Sequence, residues 1–210
     1  MNESATEIRE RQVAEFIGKL AKLEDGDRAR LKRNAGKSIA DSRDVQLLFY
    51  GRVLPHGVPV WLEERYFLLA TLYPLDKQQR ERDRRARQSG PGDEPGAARR
   101  ALSLGGSFRR ARTDLNQKGL DSRFARLLDA DTEALPFHLR QAIRRLTNDG
   151  AHIDWVQLTH DVLRWHYPER SVQRQWARDY VAHAADAADA LDPGHDDAPA
   201  LELETETETL

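Results

Sequence analysis

Apolar side chains recur three and four residues apart through nearly the whole chain, and no stretch alternates convincingly. That spacing buries one face of a helix, whereas a strand needs a spacing of two. Val13, Phe16, Ile17 and Leu20 predict an amphipathic helix over roughly residues 5–23, ended by Asp25-Gly26-Asp27. A short basic helix follows. Val45, Leu47, Leu48 and Tyr50 predict a third helix over 40–53, and Pro55-His56-Gly57 a turn. Trp61, Leu68 and Leu72 stripe a fourth helix, which Pro74 stops. Beyond Leu102, Asp121 is expected to cap a helix with Phe124, Leu127 and Leu128 inside and Arg123 and Arg126 on the other side. Pro136 suits the first turn of a helix carrying Leu139, Ile143 and Leu146. Asp154 caps one with Trp155, Leu158, Val162 and Trp165, and Val172, Trp176 and Tyr180 mark the last. All four tryptophans are expected in the core.

Residues 77–100, KQQRERDRRARQSGPGDEPGAARR, break this pattern, because they hold no large apolar side chain. They read as a flexible basic linker. The expected fold class is all-α: two small helical bundles at 1–76 and 101–183, with an acidic, disordered tail at 184–210. Hydrophobic residues are 39% of the 210, enough to fill such cores.

Charge is divided unevenly. Of 33 Lys+Arg and 35 Asp+Glu, nine acids and no base lie between Ala184 and Leu210, which leaves residues 1–183 at +7. A basic body with an acidic tail suits a nucleic-acid binder, and equally a helical protein with a solvating tail. No run of 18 apolar residues exists, so no membrane span is expected, and the N-terminus lacks the apolar stretch of a signal peptide. The expected location is the cytoplasm. The absence of cysteine excludes disulfides, thiolate metal sites and Cys nucleophiles.

Motifs for catalysis fail one by one. Gly36-Lys37-Ser38 matches the end of a phosphate-binding loop, but Leu31 stands where its first glycine is needed. Ser103-Leu104-Gly105-Gly106-Ser107 could offer bare amides to a phosphate, although a tight turn explains it better. His160 and His166 are six apart and would face opposite ways on a helix, so no metal or other cofactor is expected. No GxSxG occurs, and the chain reads as a non-enzyme.

The basic residues fall into three sets: Arg28, Arg30, Lys32 and Arg33; Arg109, Arg110 and Arg112; and Arg140, Arg144 and Arg145. In the third set Leu139, Ile143 and Leu146 assign the buried side, which turns the arginines outward, with no acid among residues 134–148. Guanidinium groups suit bidentate phosphate contacts, which give affinity without base specificity.

Several segments in order resemble one family: LAKLEDGDRARLKRNAG (20–36), WLEERYFLLATLYPL (61–75), SLGGSFRRAR (103–112), RFARLLDADTEALPFHLRQAIRRL (123–146) and IDWVQLTHDVLRW (153–165). Together they make residues 10–182 similar to the CasB family, the small subunit of the type I-E CRISPR surveillance complex, Cascade. The linker is longer than the family leads one to expect, and the acidic tail is an addition. The resemblance implies a non-catalytic, all-helical subunit. Its partners would be the other Cascade subunits, a second copy head to tail, the guide RNA–target DNA hybrid and the displaced strand. The implied role is to stabilise the R-loop through backbone contacts, since base pairing with the guide reads sequence. The three basic sets carry over as its nucleic-acid contacts. A stand-alone helical DNA-binding regulator is the alternative, and a helical metal-dependent nuclease a third reading.

Overall fold

The computed structural model describes residues 4–88, 101–113 and 117–182, and these are helical with no strand among them. Helix α1 (Ala5–Lys22) opens with a reciprocal cap, Glu7 N–H donating to Ser4 Oγ and Ser4 N–H to Glu7 Oε2. Its stripe of Val13, Phe16 and Leu20 is wholly buried. Helix α2 (Asp25–Arg33) follows, and the turn after it closes at Gly36, whose φ of +78° favours glycine.

The single helix expected over 40–53 is instead three short pieces. A 3-10 turn (Arg43–Val45) leads into α3 (Gln46–Leu48) and a π-turn (Phe49–Val53). The rotation per residue therefore changes twice, and a uniform 100° stripe misassigns the faces. Val45, Leu48, Phe49 and Val53 are inside, while Leu47 is 89% exposed and Tyr50 half exposed.

Helix α4 (Val60–Leu72) is the central pillar. From Tyr66 to Leu72 every residue is buried, as expected for a helix surrounded by others. Trp61, expected in the core, lies in its first turn at 59% exposure. Its neighbour Leu62 takes the buried place in that turn, and the Trp61 ring meets His166 at 5.8 Å.

Residues 77–88, expected to begin a linker, form helix α5 (Lys77–Gln88); 89–100 and the tail expected at 184–210 lie outside the described residues. Strong helix formers and Glu81 pairs with Arg84 and Arg85 favour the helix locally. A polar pin then seats it. Buried Asp83 accepts from Arg28 Nη2 at 3.0 Å, from the Tyr73 hydroxyl and from Gln79 Nε2. At its start, Asp76 caps α5 through Gln79 N–H and accepts from Trp155 Nε1 at 3.0 Å. Gln78 donates to the Gly150 carbonyl at 2.7 Å.

The remaining helices are α6 (Leu104–Ala111), α7 (Gln117–Asp129), α8 (Leu135–Asn148), α9 (Trp155–Leu163) and α10 (Ser171–Val181). Asp154 caps α9 as expected. Asp121 does not cap α7, which begins four residues earlier; its carboxylate instead accepts from the Tyr180 hydroxyl on α10. Gly105 and Gly106 form neither a phosphate loop nor a turn. They lie inside α6, where Gly105 lets the backbone of α10 approach at Trp176. Helices α8 and α9 pack on α4, α9 also on α1, and the apolar side chains before and after 77–100 join in one core.

Candidate nucleic-acid interface

Helices α7 and α8 form a hairpin joined by a five-residue turn at 130–134. Leu120, Phe124 and Leu127 commit one face of α7 to the core, which turns Arg123 and Arg126 to the outside. On α8, Leu135, Leu139, Ala142, Ile143 and Leu146 are buried. The adjoining face presents Phe137, His138, Gln141, Arg144, Arg145 and Asn148. The two helices thereby enclose a groove of about 490 Å³ flanked by four arginines. That volume is in the range of clefts that accept small ligands or single groups of a polymer.

Arg123, Arg126 and Arg144 are exposed, and their guanidinium groups make no ion pair or hydrogen bond to the described residues. Arg145 is different: its Nε lies 2.8 Å from Asp149, one residue beyond the acid-free window of the sequence. Three uncompensated guanidinium groups from two helices thus surround one concavity, where the field of each adds to the others.

A second groove of about 400 Å³ lies between α1 and α9, lined by Thr6, Arg9, Glu10, Gln157, His160 and Arg164. Burial, with Arg164 nearby, holds His160 below the ordinary imidazole range. Glu10 among its cations makes this groove a poorer anion site. Among the described residues no three His, Asp or Glu side chains converge as metal ligands do. Burial pushes the Asp161 carboxyl up, while bonds from Trp176, Gln157 and Arg164 draw it back; its role is to hold Trp176 in the core. No helix among the described residues is long and apolar enough to cross a membrane.

The family model for CRISPR-associated protein Cse2 matches residues 27–180, well over half of the chain. The chain belongs to the Cse2 family. A CRISPR-associated Cse2 protein of Thermus thermophilus is 46% identical over 66 residues, 31% of this chain. The chain matches only 37% of that relative's length. The fold is similar to the crystal structure of M. ruber CasB, with a TM-score of 0.62, 25% identity, and coverage of 87% of this chain and 97% of that one. It is also similar to a chain of a CRISPR RNA-guided surveillance complex, described as pre-nicking, with a TM-score of 0.67. At 22% identity, over 88% of this chain and 99% of that one, this is a likeness of fold. The expected all-α CasB-type architecture is therefore the observed one.

Within this Cse2-family fold the three basic sets have different fates. Arg28 requires a correction. It is 2% exposed, paired with Asp83 and donating to the Leu23 and Ala21 carbonyls, so it cannot reach a phosphate. Its position after Asp-Gly-Asp looked solvent-facing because the acid that receives it lies 55 residues away. Arg30 turns to Asp27 and the Asp44 carbonyl, while Lys32 and Arg33 are exposed. Arg140 is exposed, with its stem over Gly36, in the turn that follows α2. Arg109 donates to the Ala182 carbonyl, and Arg112 lies near Asp121 and over the Tyr180 ring. Arg110 is exposed. Arg123 and Arg126 were seen in the sequence only as outward residues; their convergence with Arg144 depends on the pairing of α7 with α8.

Proposed function

We propose that this chain is the non-catalytic small subunit of a Cascade-type CRISPR surveillance complex. In this reading it holds nucleic-acid backbone along the α7–α8 groove and the neighbouring basic surface, stabilising the guide RNA–target DNA R-loop and the displaced strand. The observation that carries it is the groove flanked by Arg123, Arg126 and Arg144, whose guanidinium groups have no partner among the described residues. The fold shared with surveillance-complex chains supports the assembly with other Cascade subunits; in this reading a second copy, head to tail, is a further partner. Lys32, Arg33, Arg110 and Arg140 extend the basic path.

Changing Arg123, Arg126 and Arg144 together to Ala should weaken target binding by the assembled complex while leaving helix content unchanged. Each phosphate contact contributes about 0.7 to the salt slope for a single strand, so the triple variant should flatten it by about 2. Sequence preference should stay as it was, because the guide supplies it. An unchanged affinity and slope would refute the groove as a backbone site.

The acidic tail offers a second check. Seven of its acids lie within 192–210, with no base among them. Removing 192–210 should leave Tm unchanged and tighten non-specific DNA binding, most at low salt, where the tail competes best for the arginines. Unchanged or weaker binding at low salt would reduce the tail to a solubility extension.

A further inference from the structure

Phosphate binding accounts for the arginines of the groove but not for the aromatic ring among them. Phe137 is 61% exposed although it stands on a helix whose opposite face is fully packed. Leu135, Leu139 and Ile143 fill the core below it, so Phe137 is not needed there. Its ring meets that of His138 at 5.2 Å and an interplanar angle of 84°, an edge-type contact that orients it without covering it. Arg144 and Arg145 follow two turns later along the same face, and Arg123 and Arg126 stand across the groove.

We infer that Phe137 is a stacking platform for one unpaired base, so that the α7–α8 groove takes single-stranded nucleic acid rather than duplex. The inference rests on the backbone-binding reading above and deepens it. A duplex keeps its bases stacked inside and offers this ring only sugar and phosphate. A single strand can turn a base onto the ring while its flanking phosphates meet the arginines on both walls. Every base has a π face, so such a platform adds affinity without sequence preference. The groove, of nucleotide-scale volume, has room for this arrangement.

Stacking and charge are separable by salt. Losing a phosphate contact changes the slope of affinity against salt, whereas losing a stacking contact lowers affinity equally at every salt concentration. The test uses the full chain and labelled 15-mers of dT, rU and a mixed-sequence DNA duplex, with fluorescence anisotropy from low to moderate salt. Phe137→Ala should weaken single-strand binding about tenfold with the slope unchanged. Phe137→Trp should restore it, and duplex binding should stay at the wild-type level. The dT and rU arms tell whether the bound strand is DNA, RNA or either. Because the ring is exposed, both variants should keep the wild-type Tm.

Wild-type single-strand affinity in Phe137→Ala, with binding still weakened in the arginine variant, would overturn stacking and leave the backbone site standing. Equal loss on single strand and duplex would also overturn it, because the ring would then be acting through groove shape. A variant that binds strands normally but no longer enters the complex would make Phe137 a protein contact. If the arginine variant itself binds as wild type, the failure lies in the underlying reading.

Discussion

Asp83→Ala should destabilise this fold by about 3–5 kcal/mol, because it strands a buried guanidinium. In a chain of this size that lowers Tm by roughly 10 °C. Arg28 and Asp83 are both almost wholly excluded from water, with side-chain exposures of 2% and 4%. Arg28 would keep its bonds to the Leu23 and Ala21 carbonyls, yet its charge would face no counter-charge. The Tyr73 hydroxyl and Gln79 would lose their acceptor in the same stroke. Since α5 buries Asp83 and no apolar side chain, its seat depends on polar contacts, and this carboxylate is the buried one among them. Amide exchange should therefore rise first within 77–88. The double variant Arg28→Met, Asp83→Leu should recover much of the loss, since the desolvation of two charges disappears along with their attraction. A single variant within about 1 kcal/mol of wild type would show that the pair is hydrated in solution.

Gly105→Ala should be the second severe change, and of opposite sign to the usual effect. Replacing glycine by alanine inside a helix ordinarily stabilises it by about 0.5–1 kcal/mol. At Gly105 the new Cβ would stand 2.0 Å from the Trp176 carbonyl oxygen, 2.7 Å from its carbon and 2.9 Å from its Cα. All three are backbone atoms, so α6 and α10 must separate. Trp176 is itself buried, bonded to Asp161 and packed on Trp165 at 5.0 Å between centroids. The cost should be about 3 kcal/mol, at the upper end of overpacking effects, with a loss of near-ultraviolet tryptophan dichroism. Gly106→Ala is the control. The one close atom its Cβ meets is the Leu102 Cδ1 at 2.7 Å, the end of a side chain that can turn away, with Leu102 Cγ and Ser103 Oγ at ordinary contact distance, and it should stay within about 1 kcal/mol of wild type. Equal behaviour of the two variants would contradict the α6–α10 crossing.

The buried faces of α1, α8, α9 and α10 were legible in the residues, from apolar side chains recurring at helical spacing. Leu139, Ile143 and Leu146 assigned the inner side of α8 correctly, and Asp154 its role as a cap, because these depend on neighbours within one or two turns. The family was legible too, through segments kept in the same order along the chain. What lies opposite a side chain was not. Arg28 and Asp83 are 55 residues apart, and only the placing of α5 beside α1, with Asp83 reaching Arg28, turns an apparent surface arginine into a buried one. The same holds for α5 as a whole, since a helix seated by a carboxylate leaves no apolar trace. Trp61 belongs to a valid stripe, yet in the first turn of α4 it is Leu62 that is buried while Trp61 meets only the edge of His166 among the described rings. Arg145 and Asp149 were close in sequence, and their pairing needed only a window one residue wider. Sequence alone determined that this is a helical chain with outward arginines on α7 and on α8. That these arginines surround a single groove, with Phe137 exposed among them, was decided by the tertiary structure, because periodicity gives the direction of a side chain and not the distance between two helices.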